Sequence, residues 1–205
     1  MKKLSFILSV LLLLTALPAV SAPETADDDI NKMLPVFDSL IRALLDRDAY
    51  DYAPRDPDFF WSAVYLMAVN WESFNPVAEI SEDWVSLILP VQTVQELATA
   101  LFADYDGLPD IPESVSGAVS YDEKLGVYYF TMSDAGEEYS QIDASESTDD
   151  GRMFVTVVLK TTYFGGEEDA IMALIEFTIQ PNAHAAEIDE PRFLYSVVSA
   201  ARPAG

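Results

Sequence analysis

The chain lacks cysteine, has one histidine, and carries only 11 Lys and Arg against 35 Asp and Glu in 205 residues, a formal net charge of −24. Without cysteine there is no disulfide scaffold, no thiolate-ligated zinc or iron–sulfur site and no thiol nucleophile. The acidic excess argues against nucleic-acid binding, because a phosphate backbone binds positive surfaces. An acidic surface accommodates a cationic partner more easily than an anionic one.

The first 22 residues have the order of a secretory signal peptide. Lys2 and Lys3 precede an apolar run over 4–17, and Pro18 and small residues follow it. The run is shorter than the roughly 20 residues of a membrane-spanning helix. We therefore expect cleavage after residue 21 or 22 and export from a bacterial cell as a secreted or extracytoplasmic protein without a stable membrane anchor. The mature chain, 23–205, is expected to be ordered, because half of the residues are hydrophobic (50%). Its length of roughly 183 residues is typical of one domain.

Helical periodicity dominates the first part of the mature chain, about 28–104. Apolar residues recur at spacings of three and four over 30–45 and predict the first helix, in which Pro35 either produces a kink or marks the start of the regular part. Asp56 followed by Pro57 is typical of a helix start, and the nearly unbroken apolar run after it predicts a second helix buried on most sides.

A short strand and a third helix are predicted next. The apolar run over 84–89 ends at a proline and is typical of a buried strand. Thr93 and Glu96 have the spacing of a capping box, so we expect a helix over 93–104 that begins at Thr93.

The period changes from 3.6 to 2 after residue 115, which predicts a β-meander over about 115–202. The clearest strand has Ala173, Ile175, Phe177 and Ile179 on one face and Glu176, Thr178 and Gln180 on the other. Short turns rich in Asp and Gly join antiparallel neighbours. The other runs expected to form strands are 115–121, 127–132, 139–147, 153–160 and 192–200.

This order predicts an α+β fold in which N-terminal helices pack on one face of a curved, mainly antiparallel sheet. In its element order the chain resembles the NTF2-like and cystatin-like folds. The NTF2-like resemblance implies a curved sheet that wraps a helical layer and often leaves a pocket; it implies no residue role.

Motifs for nucleophilic or zinc-dependent catalysis are missing from the sequence. His184, the one histidine, sits in a loop of small residues without a nearby serine nucleophile motif, and we interpret it as an ordinary loop histidine. No G-x-S-x-G, H-E-x-x-H or phosphate-binding glycine loop is present. These observations favour a protein that is not an enzyme.

Three carboxylates around a glycine turn form the candidate metal site. Asp104, Asp106 and Asp110 follow the third predicted helix, and hard oxygen ligands of this kind suit Ca²⁺. The spacing does not complete an EF-hand, so a solvated acidic turn is the alternative interpretation. A calcium-stabilised interaction domain remains one hypothesis for the chain.

The exposed side of the clearest strand supplies the candidate ligand-binding residues, Glu176, Thr178 and Gln180. Our leading hypothesis is an exported, acidic, non-enzymatic module that binds a small ligand or a partner protein through the concave or exposed face of its sheet. The alternative is a carboxylate-dependent glycan hydrolase, which requires a second carboxylate opposite Glu176 in one pocket.

Overall fold

The computed structural model describes residues 25–47, 51–70, 78–133, 136–162 and 169–203. The predicted signal peptide lies outside these residues. Within these residues there are four α-helices, of which three precede the first strand and the fourth lies between the second and third strands. They are α1 (Thr25–Lys32), α2 (Leu34–Asp46), α3 (Pro57–Asn70) and α4 (Val91–Leu101), and 3₁₀ turns cover Glu113–Val115 and Ala185–Glu187.

The described strands form two antiparallel four-stranded sheets, which confirms the α+β class and divides the predicted single sheet into two. The first sheet has the order β1-β2-β4-β3 and the second the order β5-β6-β7-β8. The strands are β1 (Glu79–Ile80), β2 (Ser86–Pro90), β3 (Val119–Asp122), β4 (Val127–Thr131), β5 (Glu138–Ser147), β6 (Met153–Thr161), β7 (Ala170–Pro181) and β8 (Tyr195–Ala201).

The first predicted helix is divided at Met33 into α1 and α2. Pro35 lies in the first turn of α2, where its missing N–H has no helical partner to lose. Of the two alternatives for Pro35, the start of the regular helix is therefore the right one. At the start of α3 the Asp56 carboxylate accepts a hydrogen bond from the N–H of Asp58 at 3.0 Å. The predicted helix start at Asp56 and Pro57 is therefore confirmed.

The predicted start of the third helix at Thr93 is wrong, because α4 begins two residues earlier, at Val91. Pro90 ends β2 and occupies the N-cap position without a side-chain cap, and the N–H of Val91 is bonded to the Gly126 carbonyl at 3.1 Å. The helix also ends before residue 104. Phe102 is extended, and the next N–H, that of Ala103, is bonded to Val197 of β8 at 2.8 Å.

The predicted strand over 115–121 is also shorter than expected. Val115 lies in a 3₁₀ turn, the Ala118 N–H is bonded to the Val115 carbonyl at 2.9 Å, and β3 begins at Val119.

The predicted strand over 84–89 is shifted, because β2 begins at Ser86 and Trp84 lies in the preceding turn. In addition, β8 begins at Tyr195 and the short strand β1 was not predicted.

One core of buried apolar residues connects the helices to the inner faces of both sheets. The Phe37 ring of α2 lies 4.8 Å from that of Phe177 in β7, and the Trp61 ring of α3 lies 5.2 Å from that of Tyr128 in β4. The predicted burial of the second helix is confirmed by eight buried residues in α3. Each sheet is thus covered by helices on one face.

A charged group joins α2 to the edge strand β5. The Arg42 guanidinium contacts the Asp38 carboxylate at 2.8 Å and that of Glu138 at 3.2 Å, and Asp38 accepts a 2.6 Å hydrogen bond from the Ser140 hydroxyl. Asp38 is only 4% exposed. Because a buried carboxylate is unfavourable without such partners, these contacts fix α2 against β5.

Candidate functional site

The predicted ligand-binding residues lie on the face of the second sheet that points away from the helices. We call this face the outer face. Its cross-strand rows follow from the register. They are Tyr139, Lys160 and Ile171; Gln141, Val158 and Leu174; Ala144, Thr156, Glu176 and Ala201; and Glu146, Phe154, Thr178 and Ser199.

The two faces of the second sheet differ because apolar residues in β6 and β7 alternate with positions that hold both polar and apolar residues. Inner-face residues of β7, such as Ile175 and Phe177, are fully buried, while Leu174 and Glu176, on either side of Ile175, are exposed. A bulge at Ala173 and Ile171, where the register with β6 shifts, leaves Met172 as an extra residue that is 47% exposed. Bulges of this kind increase local twist and re-aim side chains.

Large apolar side chains remain accessible on the outer face. Exposed fractions are 65% for Ile171, 51% for Phe154, and 38% for both Leu174 and Tyr139. Single exposed apolar residues are ordinary on protein surfaces, but several on one sheet face are typical of interaction sites. The polar residues between them include Lys160, whose ammonium donates to the Gln141 side chain at 2.9 Å.

The predicted ligand-binding residues all lie on the exposed side of β7, as the alternation indicated. Glu176 is paired across the sheet with Thr156 and Ala201, neither of which is acidic. The second carboxylate that a glycan hydrolase requires is therefore not supplied by these paired neighbours, and that alternative stays a prediction. Gln180 is paired with Ser196 at the far end of the strand.

Thr178 is the predicted residue that lines a hollow. A depression of about 400 Å³ lies between the β5–β6 turn and the outer face, next to Phe154. The turn is organised by the Thr148 hydroxyl, which donates to Asp150 and approaches the Arg152 carbonyl at 2.9 Å. This hydrogen bond from Thr148 is the main reason that the pKa of Asp150 is lowered. The hollow therefore combines an aromatic wall with an ionised carboxylate.

The predicted metal residues are brought together only in part. Asp104 and Asp106 line a cavity of about 260 Å³ together with Arg55 and Tyr105, whereas Asp110 is not part of its lining. In the part of the chain that the structure describes, no group of three or more acidic or histidine side chains is placed to hold a metal ion. The calcium site stays a prediction.

His184 lies in the loop between β7 and β8, at the start of a 3₁₀ turn. Its ring meets that of Tyr105 edge to face at 5.9 Å, and Nδ1 lies 4.0 Å from the Glu187 carboxylate. The N–H of His184 donates to the side chain of Asn182 at 3.0 Å. These contacts position a loop and assign no nucleophile to the histidine.

Sequence reasoning missed the exposure of Phe154 and Leu174, as well as Trp84 in the β1–β2 turn. Alternation places Phe154 opposite the buried face, but whether a helix covers that position depends on the tertiary arrangement. The one sequence signal for this exposure was the presence of large apolar residues at the positions of β6 and β7 that alternate with the buried ones, where polar residues are expected.

Among the helices of the described ranges, none is long and apolar enough to cross a membrane. No family model, curated protein or solved structure matches the chain.

Proposed function

We propose that this protein is a non-enzymatic binding module whose outer face on the second sheet binds a basic partner protein. The observation that carries the proposal is the exposure of Tyr139, Phe154, Ile171 and Leu174, between 38% and 65%, on one hydrogen-bonded face. Aromatic and large aliphatic side chains of this kind supply most of the affinity when a partner buries them.

The charge of the molecule supports a basic partner. The whole chain carries −24, and the cross-strand rows of the outer face contain two acidic residues, Glu146 and Glu176, and one basic residue, Lys160. The β5–β6 turn adds Asp149 and Asp150 next to Arg152. Complementary charge accelerates association and excludes acidic competitors, while the apolar residues provide the lasting contact.

Selection from a display library of short random peptides tests the proposal on the folded full chain. We expect the selected peptides to be rich in Lys or Arg together with aromatic or large aliphatic residues. Their binding should weaken by about tenfold or more in the double variant Phe154→Ser and Leu174→Ser, because the buried apolar contact is removed.

Leu125→Ser provides the matched control, since Leu125 is 67% exposed in the β3–β4 turn of the first sheet. This variant should bind the selected peptides like the natural chain. Selection of acidic peptides, or undiminished binding by a folded double variant, would contradict the proposed surface. Hydrolysis of a panel of glycosides or esters that is lost in Glu176→Gln would contradict the non-enzymatic assignment.

A further inference from the structure

The turn between β1 and β2 displays Trp84 in a backbone conformation that is unusual for a large residue. Its φ is 61°, and it is the one non-glycine residue of the described ranges with a positive φ. The side chain is 75% exposed, so burial of the indole does not compensate for the steric conflict that a Cβ meets in this region. Other contacts in the turn must therefore hold the residue.

Hydrogen bonds from the turn's own polar residues hold it. The Ser81 hydroxyl donates to Asp83 Oδ1 at 2.6 Å, and the N–H of Val85 donates to the same oxygen at 3.2 Å. The Ser86 N–H donates to Ser81 Oγ at 2.9 Å, and the Trp84 N–H donates to the Ser81 carbonyl at 2.9 Å. The indole is thus presented from a turn that is ordered before any partner arrives.

The residues next to Trp84 along the turn determine which group the indole suits. Glu79, Glu82 and Asp83 are exposed, and Val85 is 49% exposed. The hydrogen bond from Ser81 is the main cause that lowers the pKa of Asp83, so this carboxylate is ionised at neutral pH. A tryptophan face attracts cations more strongly than other aromatic rings do, and adjacent carboxylates add to the attraction.

We propose that the turn formed by residues 79–85 is a second docking site, at which an Arg or Lys side chain of a partner protein stacks on Trp84 and pairs with Glu82 or Asp83. This site belongs to the first sheet and does not depend on the outer face of the second. Charge complementarity commits the site to a basic protein segment rather than a neutral sugar or a lipid surface.

Calorimetric titration of the Phe154→Ser and Leu174→Ser double variant with a peptide of alternating Arg and Leu tests the site without the outer face. We expect Trp84→Gly in this background to weaken binding about tenfold, through loss of the cation–π contact. The same substitution should raise the melting temperature by about 2–4 °C, because glycine adopts a positive φ without strain.

Two matched variants complete the test. Leu125→Gly removes a large apolar turn residue that is 67% exposed, against 75% for Trp84, and should leave the peptide affinity unchanged. Trp84→Leu keeps an apolar side chain but lacks the π face, and should weaken binding as Trp84→Gly does. Unchanged affinity in Trp84→Gly, full affinity in Trp84→Leu, or equal binding of a Glu and Leu peptide would overturn the proposal.

Two further measurements decide between kinds of partner. Binding to cellohexaose or to phosphatidylcholine vesicles that is lost in Trp84→Gly, without binding of the Arg and Leu peptide, would also overturn it. These titrations use the double variant, in which the outer face is already altered. A negative result for Trp84 therefore does not contradict the proposed function of the outer face, and a negative result for the outer face does not contradict the Trp84 site.

Discussion

Phe177 and Phe154 lie on neighbouring strands of the second sheet, but on opposite faces. The Phe177 ring is fully buried and lies 4.8 Å from that of Phe37, whereas the Phe154 ring is 51% exposed. The same type of side chain therefore stabilises the fold on one face of the sheet and remains available to a partner on the other face. The comparison separates residues that the fold needs from residues that the fold merely presents.

Truncation of the inner phenylalanine has the largest expected effect. Phe177→Ala removes a ring from the packed core and should lower the free energy of unfolding by about 3–5 kcal/mol. Urea denaturation followed by circular dichroism measures this change. A loss below about 1 kcal/mol would mean that the inner face is not the stabilising one.

The second largest effect is expected when the charged group that joins α2 to β5 is broken. Arg42→Met leaves the Asp38 carboxylate, 4% exposed, without its guanidinium, and should destabilise the protein by about 3 kcal/mol. Arg47→Met is the matched control. Arg47 pairs with Asp56 at 2.6 Å with both side chains about one third exposed, so its loss should be about 1 kcal/mol or less. Equal effects of the two substitutions would contradict the assignment of Arg42 to the buried junction.

Tyr128 and Tyr129 lie on the inner and outer faces of β4, and the pH at which a phenol ionises distinguishes them. Burial, followed by the charges of Tyr121 and Tyr105, raises the pKa of Tyr128 from 10.0 to about 12. The neutral hydroxyl is therefore favoured in the folded state, and the stability linked to it, present below pH 10, is lost as the pH rises toward 12. Ultraviolet titration should show a phenol that ionises near pH 12, distinct from Tyr52, whose pKa burial raises further.

Tyr128→Phe should remove the step near pH 12 and leave the later ionisation of Tyr52, whereas Tyr129→Phe, on the opposite face of β4, should leave both in place. Disappearance of the step in Tyr129→Phe instead would reverse the assignment of faces on the first sheet.

The smallest expected effect on stability belongs to the outer face. Phe154→Ser should change the free energy of unfolding by less than about 1 kcal/mol, because half of the ring already contacts water. Thermal melting of the variant beside Phe177→Ala measures the difference directly. A loss comparable to that of Phe177→Ala would show that Phe154 belongs to the core.

Local patterns predicted much of this fold. The alternation through Ile175, Glu176 and Phe177 identified both faces of β7, and Asp56 with Pro57 marked the start of α3. Both signals are local, so neighbouring residues suffice to determine them.

Features that depend on distant contacts were not predictable. The start of α4 at Val91 depends on a hydrogen bond to Gly126, and the division into two sheets depends on which strands pair. The exposure of Phe154 depends on where the helices pack, and the positive φ of Trp84 has no glycine or asparagine to signal it.

Nuclear magnetic resonance mapping of a selected basic peptide onto the labelled full chain tests the central claim most directly. The account predicts that the backbone amides of Tyr139, Phe154, Ile171 and Leu174 shift on titration, while those of the buried residues Ile175 and Val157 shift least among neighbouring positions. Shifts confined to the cavity beside Asp104 and Asp106, with the outer face unperturbed, would contradict it.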